Sequence, residues 1–206
     1  MNLSAIVRLM RPHQYVKNIF IFLPLFFALK ITNVELLLNT FIAFIAFSLA
    51  ASSVYILNDS VDIKEDMLHP EKKKRPLASG VISKPQALLI MSVLLMASLF
   101  IMAVLSIEAT LILVTYIIMN IAYSYYLKHI AVLDVTIIAI GFVLRLFIGS
   151  VVSDVSLSMW IVIMTFLLAL FLALAKRRDD VLIYMDTGKK VRKVIDGCPP
   201  DIKTNS

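Results

Sequence analysis

Between Lys84 and Lys128 the only charged residue is Glu108. An apolar stretch of that length exceeds the core helix of a soluble domain and reads as two membrane spans in succession. Similar runs fill most of the chain. About six can be drawn, at approximately 12–29, 35–57, 85–106, 108–127, 132–152 and 156–175. With 60% hydrophobic residues and a mean hydropathy of +0.90, the expected fold is all-α, a polytopic transmembrane helix bundle. The first run is the weakest. Arg11, His13, Gln14 and Lys17 occupy its opening turns, and its apolar part, 19–29, is short for a full crossing.

The basic residues give the orientation. Arg8, Arg11 and Lys17 lie at the N-terminus, Lys64, Lys72, Lys73, Lys74, Arg75 and Lys84 in the 58–84 loop, Lys128 in the 128–131 loop, and more after 175. The opposite loops carry Lys30 and otherwise Asn33, Glu108 and Asp154. The positive-inside rule then puts the N-terminus and all the basic loops on the cytoplasmic face of the cell membrane, around one mouth.

At that mouth stands the densest charge cluster of the chain: Asn58-Asp59-Ser60-Val61-Asp62-Ile63-Lys64-Glu65-Asp66, followed by His69-Pro70-Glu71-Lys72-Lys73-Lys74-Arg75-Pro76. On a helix, Asn58, Asp62 and Asp66 fall one above another on a single face, with Asp59 beside them. Stacked carboxylates repel unless a cation sits between them, and a hard divalent cation suits an all-oxygen set. Mg²⁺ is commonly held by one or two carboxylates and completes its shell with water and phosphate oxygens. A solvated loop between spans would need no such regular spacing of acids.

Three other features stand out. Tyr116, Asn120 and Tyr123 form a polar stripe on the fourth span, suited either to interhelical hydrogen bonding or to lining a site. Arg145 lies mid-span between Gly141 and Gly149 on one helix face. An arginine there costs about 2.5–3.5 kcal/mol facing lipid, so it is expected to face the interior, against an acid or a bound anion. Asp134 is too far along the same helix to pair with it, at roughly 16 Å of rise. The sixth span ends in Lys176-Arg177-Arg178-Asp179-Asp180. Three bases alone would be a stop signal, but the two acids add a second candidate ligand set. A single cysteine, Cys198, excludes a disulfide framework, and five glycines with no phosphate-loop spacing exclude a glycine-rich nucleotide cradle. Carboxylates and cations around a membrane cavity suit a Mg²⁺–diphosphate complex and a lipid co-substrate, with diphosphate leaving from carbon.

The spacing Asn58-Asp59-x-x-Asp62-x-x-x-Asp66 and the following Arg75-Pro76-Leu77-Ala78-Ser79-Gly80 resemble the first signature of the UbiA superfamily of intramembrane prenyltransferases. Arg11-Pro12-His13-Gln14-Tyr15-Val16-Lys17-Asn18, His69-Pro70-x-Lys72-x-x-Arg75-Pro76, Asn120-x-x-Tyr123-Ser124, Leu127-Lys128, Gly141-Phe142-Val143-Leu144-Arg145 and Lys176-Arg177-Arg178-Asp179 are similar to its polyprenyl-phosphate phosphoribosyltransferase branch. The resemblance covers about residues 5–197. It implies one membrane domain, 1–197, with 198–206 expected as a disordered tail.

The resemblance further implies transfer of 5-phosphoribose from phosphoribosyl diphosphate to a polyprenyl phosphate, with Mg²⁺ and release of diphosphate and with no nucleic-acid partner. It assigns Asp59, Asp62 and Asp66 to catalysis and Asn58, Asp62, Asp66 and Asp180 to the metal. Lys17, Asn58, Arg75, Lys128, Arg145, Lys176 and Arg177 are its phosphate contacts, and Asn120 and Tyr123 line the site. Two departures matter. Lys176 stands where the superfamily's second D-x-x-x-D motif begins, which argues against a prenyl-diphosphate donor and for a site gripping an extra sugar phosphate. The superfamily fold has about nine spans, so C-terminal spans are expected to be missing here. The competing readings are an aromatic or quinone prenyltransferase, an inactive fragment or a subunit that needs a partner to close its bundle, and a transporter. A transporter's acids would be expected near mid-membrane rather than at a loop mouth.

Overall fold

The computed structural model describes the backbone of residues 3–187 and the side chains of 3–128, 130 and 132–179. The expected tail at 198–206 and the end of the 1–197 domain lie outside the described residues. The helices are α1 (Leu3–Met10), α2 (Leu23–Phe27), α3 (Val34–Val61), α4 (Ile63–Leu68), α5 (Lys84–Leu105), α6 (Ile107–Tyr125), α7 (Ala131–Val152) and α8 (Met159–Thr187), with a 3-10 segment, Pro12–Phe22, between α1 and α2. Five of them, α3 and α5 to α8, are long and apolar enough to cross a membrane.

Helix α3 is the axis of the bundle and contacts α1, the 3-10 segment, α5, α6 and α7. Its buried positions are mostly small: Ala43, Ala46, Ser48, Ala50, Ala51, Ser52 and Ser53. Small residues let neighbouring backbones approach, which membrane helices use in place of a hydrophobic driving force. Ser98 on α5 donates to the Ala46 carbonyl at 2.7 Å across that contact. Phe47, Met102, Leu113, Tyr116 and Ile148 fill the core around it. Asn33 caps the start of α3 by accepting from the Leu36 amide at 3.2 Å. The 28 residues of α3 make a helix of about 42 Å, against a hydrocarbon core of about 30 Å. The helix is therefore longer than the slab is thick. The outward faces of α5 and α8 expose Leu89, Val93, Met96 and Phe100, and Trp160, Met164, Leu168 and Phe171, as lipid-facing surfaces do.

The first expected span, 12–29, is not one α-helix. Arg11 takes a left-handed conformation (φ 54°), Pro12 opens eleven residues of 3-10 helix, and Pro24 lies at the start of the five-residue α2. Each proline removes a backbone donor, and the tighter 3-10 coil rises about 2.0 Å per residue. The segment is held from outside. Asn18 donates to Ser48 of α3 at 2.9 Å, and a Cβ on Gly149 of α7 would collide with the Ile21 carbonyl.

The loop after α4 folds back on the bundle. His69 Nδ1 accepts from the Glu71 and Lys72 amides at 3.2 and 3.3 Å. Gly80 turns with φ 75°. Leu77 and Ile82 bury themselves against Ala5, Leu9 and Ile56. This return brings Arg75 over the end of α3.

Candidate functional site

The acidic stretch forms the ladder expected of it, with one bend. Helix α3 ends at Val61 and α4 begins at Ile63, with Asp62 between them (φ −93°, ψ 10°). The helical backbone bonds continue across the bend, from Asp62 N to Asn58 O at 3.0 Å and from Asp66 N to Asp62 O at 2.8 Å. Asn58, Asp62 and Asp66 thus remain on one face.

Every acid of the ladder is met by a base. Asp59, 2% exposed, accepts from Arg11 at 2.5 Å and from Arg75 at 3.0 Å. The same Arg75 nitrogen reaches Asp66 at 2.6 Å, so one guanidinium bridges carboxylates from two successive helices, α3 and α4. Lys128, from the 3-10 turn 127–129 between α6 and α7, pairs with Asp62. Arg11 also lies over the Tyr55 ring, 5.4 Å from its centroid. Three segments distant in sequence thus converge on the end of α3.

A second group is entirely basic. The charges acting most strongly on Lys17 are those of Arg145, Lys176 and Arg11. Arg145 is buried in the bundle (4% exposed), as its cost in lipid requires. Its expected partner was an acid or an anion. The structure instead gives it the Asn18 side-chain carbonyl at 2.8 Å and the Gly141 carbonyl at 2.5 Å. The rings of Phe47, Tyr116 and Phe142 lie 4.7, 5.3 and 5.4 Å away. Such cation–π contacts strengthen when desolvated.

The polar stripe of α6 divides among three tasks. Tyr116 lies under Arg145. Asn120 donates to the Tyr116 carbonyl at 2.8 Å, within its own helix. Tyr123 donates to Asp134 at 2.6 Å. On α8, Lys176 and Asp179 are exposed, and Arg177 pairs with Asp134. Asp180 lies on α8, but its side chain is outside the described residues.

A metal-ligand role for Asn58, Asp62 and Asp66 has one direct structural support. The Asn58 side-chain oxygen is buried, with no hydrogen-bond partner among the described residues. A buried acceptor left without a donor is costly, and a cation would satisfy it. The donor set is all oxygen, as Mg²⁺ requires. No group of three or more Asp, Glu, His or Cys residues among the described residues is gathered tightly enough to enclose a cation. The reason is visible in the geometry: Asp62 and Asp66 are drawn to Lys128 and Arg75.

Four residues at or beneath the site were not among the expected site residues: Arg11, Asn18, Tyr55 and Asp134. Arg11 and Asn18 belong to the motif around Lys17, and their neighbourhood was the available signal. Asp134 was weighed only as a partner for Arg145. Tyr55 had no sequence signal, because its closeness to Arg11 arises from tertiary packing.

Residues 19–184 match the UbiA prenyltransferase family. A decaprenyl-phosphate phosphoribosyltransferase of Mycolicibacterium smegmatis is 33% identical over 197 residues, covering 94% of this chain and 62% of the relative. One of Corynebacterium glutamicum is 31% identical over 201 residues, covering 96% of this chain and 60% of the relative. The chain therefore spans a little over three fifths of the length of these relatives. A UbiA homolog from Archaeoglobus fulgidus, solved with GPP and Mg²⁺, shares the fold at a TM-score of 0.77 and 24% identity, over 94% of this chain and 70% of that one.

Proposed function

Because the chain belongs to the UbiA prenyltransferase family and is a multi-pass membrane protein, we propose that it transfers 5-phosphoribose from phosphoribosyl diphosphate to a polyprenyl phosphate with Mg²⁺. The observation that carries this reading is the juxtaposition of two sets of charges. Asp59, Asp62 and Asp66 meet Arg11, Arg75 and Lys128, and Lys17 is under the positive charge of Arg145 and Lys176 as well as Arg11. A mixed site suits a metal-bound diphosphate. A basic site suits a phosphate that carries no metal, and this donor and acceptor each bring one.

In this reading Asn58, Asp62 and Asp66 would hold the cation, which supplies charge neutralisation for the leaving diphosphate. Arg75 and Lys128 neutralise the remaining phosphate oxygens as charge develops on them. Asp59 keeps Arg11 and Arg75 aimed at the site rather than touching substrate. An oxygen of the lipid phosphate forms the new bond to ribose C1, and the C1–O bond to diphosphate breaks. The attacking oxygen is already anionic, which is why no general base is needed. The N-terminus and basic loops would lie on the cytoplasmic side, where the positive-inside rule puts them.

The test uses the purified full chain in detergent with Mg²⁺, a polyprenyl phosphate and radiolabelled phosphoribosyl diphosphate. Label should pass into the organic phase, and Asp62→Asn should abolish it. No transfer by the unmodified chain, beside a working full-length relative, would overturn the reading. Transfer of a prenyl group to an aromatic acceptor from a prenyl diphosphate would replace it.

A further inference from the structure

Asp134 is 1% exposed, in the first turn of α7, where the helix dipole favours a negative charge. It joins three helices. Tyr123 of α6 donates to one carboxylate oxygen at 2.6 Å, and Arg177 of α8 pairs with the other. Between Tyr123 and Asp134 the chain turns through 127–129, which carries Lys128 on its way to Asp62. The Tyr123–Asp134 bond therefore clasps the connection on both sides of Lys128. On α8, Arg177 directly follows Lys176, and α8 packs chiefly on α7. One carboxylate thus restrains two bases on different elements.

We propose that Asp134 is a positioning residue that sets the spacing between Lys128 and Lys176, and through it the grip on the phosphorylated donor. This rests on the phosphoribosyl reading above. Asp134 makes and breaks no bond with substrate. It cancels the charge of Arg177, so that this member of the basic triplet serves as an anchor beside the exposed Lys176. A carboxylate serving helix packing alone would not need to close the connection that carries Lys128 while also pairing with the neighbour of Lys176.

Asp134→Asn keeps the shape and an acceptor for Tyr123 but removes the counter-charge of Arg177. Tyr123→Phe is the milder variant and removes the hydrogen bond to Asp134 while keeping both charges. Both are measured in the full chain. Positioning predicts a KM for phosphoribosyl diphosphate raised about tenfold, with kcat within about twofold, the signature of lost ground-state binding. Asp134→Glu should restore part of the affinity. Mere destabilisation would lower the maximal rate at unchanged KM. An independent arm places spin labels at Tyr126→Cys and Arg178→Cys, with Cys198→Ser, and expects a narrow distance distribution that broadens with Asp134→Asn. An unchanged KM overturns the link to donor binding, and an unchanged distribution overturns the positioning role. If the unmodified chain transfers nothing, the phosphoribosyl reading fails, and the label distances alone uphold or overturn the positioning role.

Discussion

Single residues carry unequal burdens at this site, and substitutions should separate them. Arg145 gives Nε to Asn18 and its charge to three aromatic faces. Lysine has neither the planar fork nor the stacking surface, so Arg145→Lys should lower the melting temperature in detergent even though the charge is kept. Asn18→Ala would leave the buried Nε without its acceptor and should cost about 1–3 kcal/mol, read by thermal unfolding. Histidine 69 gives a pH prediction. Burial, and then the Lys72 charge, hold its imidazole below the ordinary value, and its Nδ1 must stay unprotonated to accept two amides. A lowered folded-state pKa means the stabilisation is fully present above the usual histidine range and is lost as pH falls through the lowered value. The protection factor of the Lys72 amide, its rate divided into the intrinsic rate at the same pH, should therefore fall in mild acid, and His69→Ala should remove that change in protection.

At the scale of elements, the five long helices were legible because apolar length alone specifies a membrane helix. Their ends were not. Helix α3 continues through the polar Asn58 to Val61, and α8 runs past Lys176 into its charged end, because helical hydrogen bonding does not stop where lipid does. The segment 12–29, the weakest of the six runs by sequence, is a broken 3-10 and α segment rather than one α-helix. Its hydropathy is that of a helix, but Pro12, Pro24 and the left-handed Arg11 break the coil. The ladder of acids was legible from spacing. The identity of each acid's base was not, because Arg11, Arg75 and Lys128 arrive from three separate elements. Gly149 supplies an element-scale test. Gly149→Ala would push α7 off the Ile21 carbonyl and should destabilise the packing by about 1–3 kcal/mol, without touching any charged residue of the mouth. Loss of stability with KM unchanged is the expected pair of results.

Over the whole molecule, charged groups from α1 to α8 gather on one end of a bundle whose sides are apolar. At its centre three carboxylates, Asp59, Asp62 and Asp66, face three bases, Arg11, Arg75 and Lys128. The two sets already satisfy one another. Asp59 keeps Arg11, so Arg75 can turn to a phosphate only if Asp66 is given another cation, and Asp62 can turn to a cation only if Lys128 is given another anion. Binding at this mouth is therefore a swap of ionic partners in which both new ions must arrive. Calorimetry should find Mg²⁺ alone and inorganic diphosphate alone to be weak guests, each strengthening the other by the same factor. In the proposed reaction such a mouth would act as a coincidence detector, exchanging its own ion pairs only for the metal and the diphosphate together.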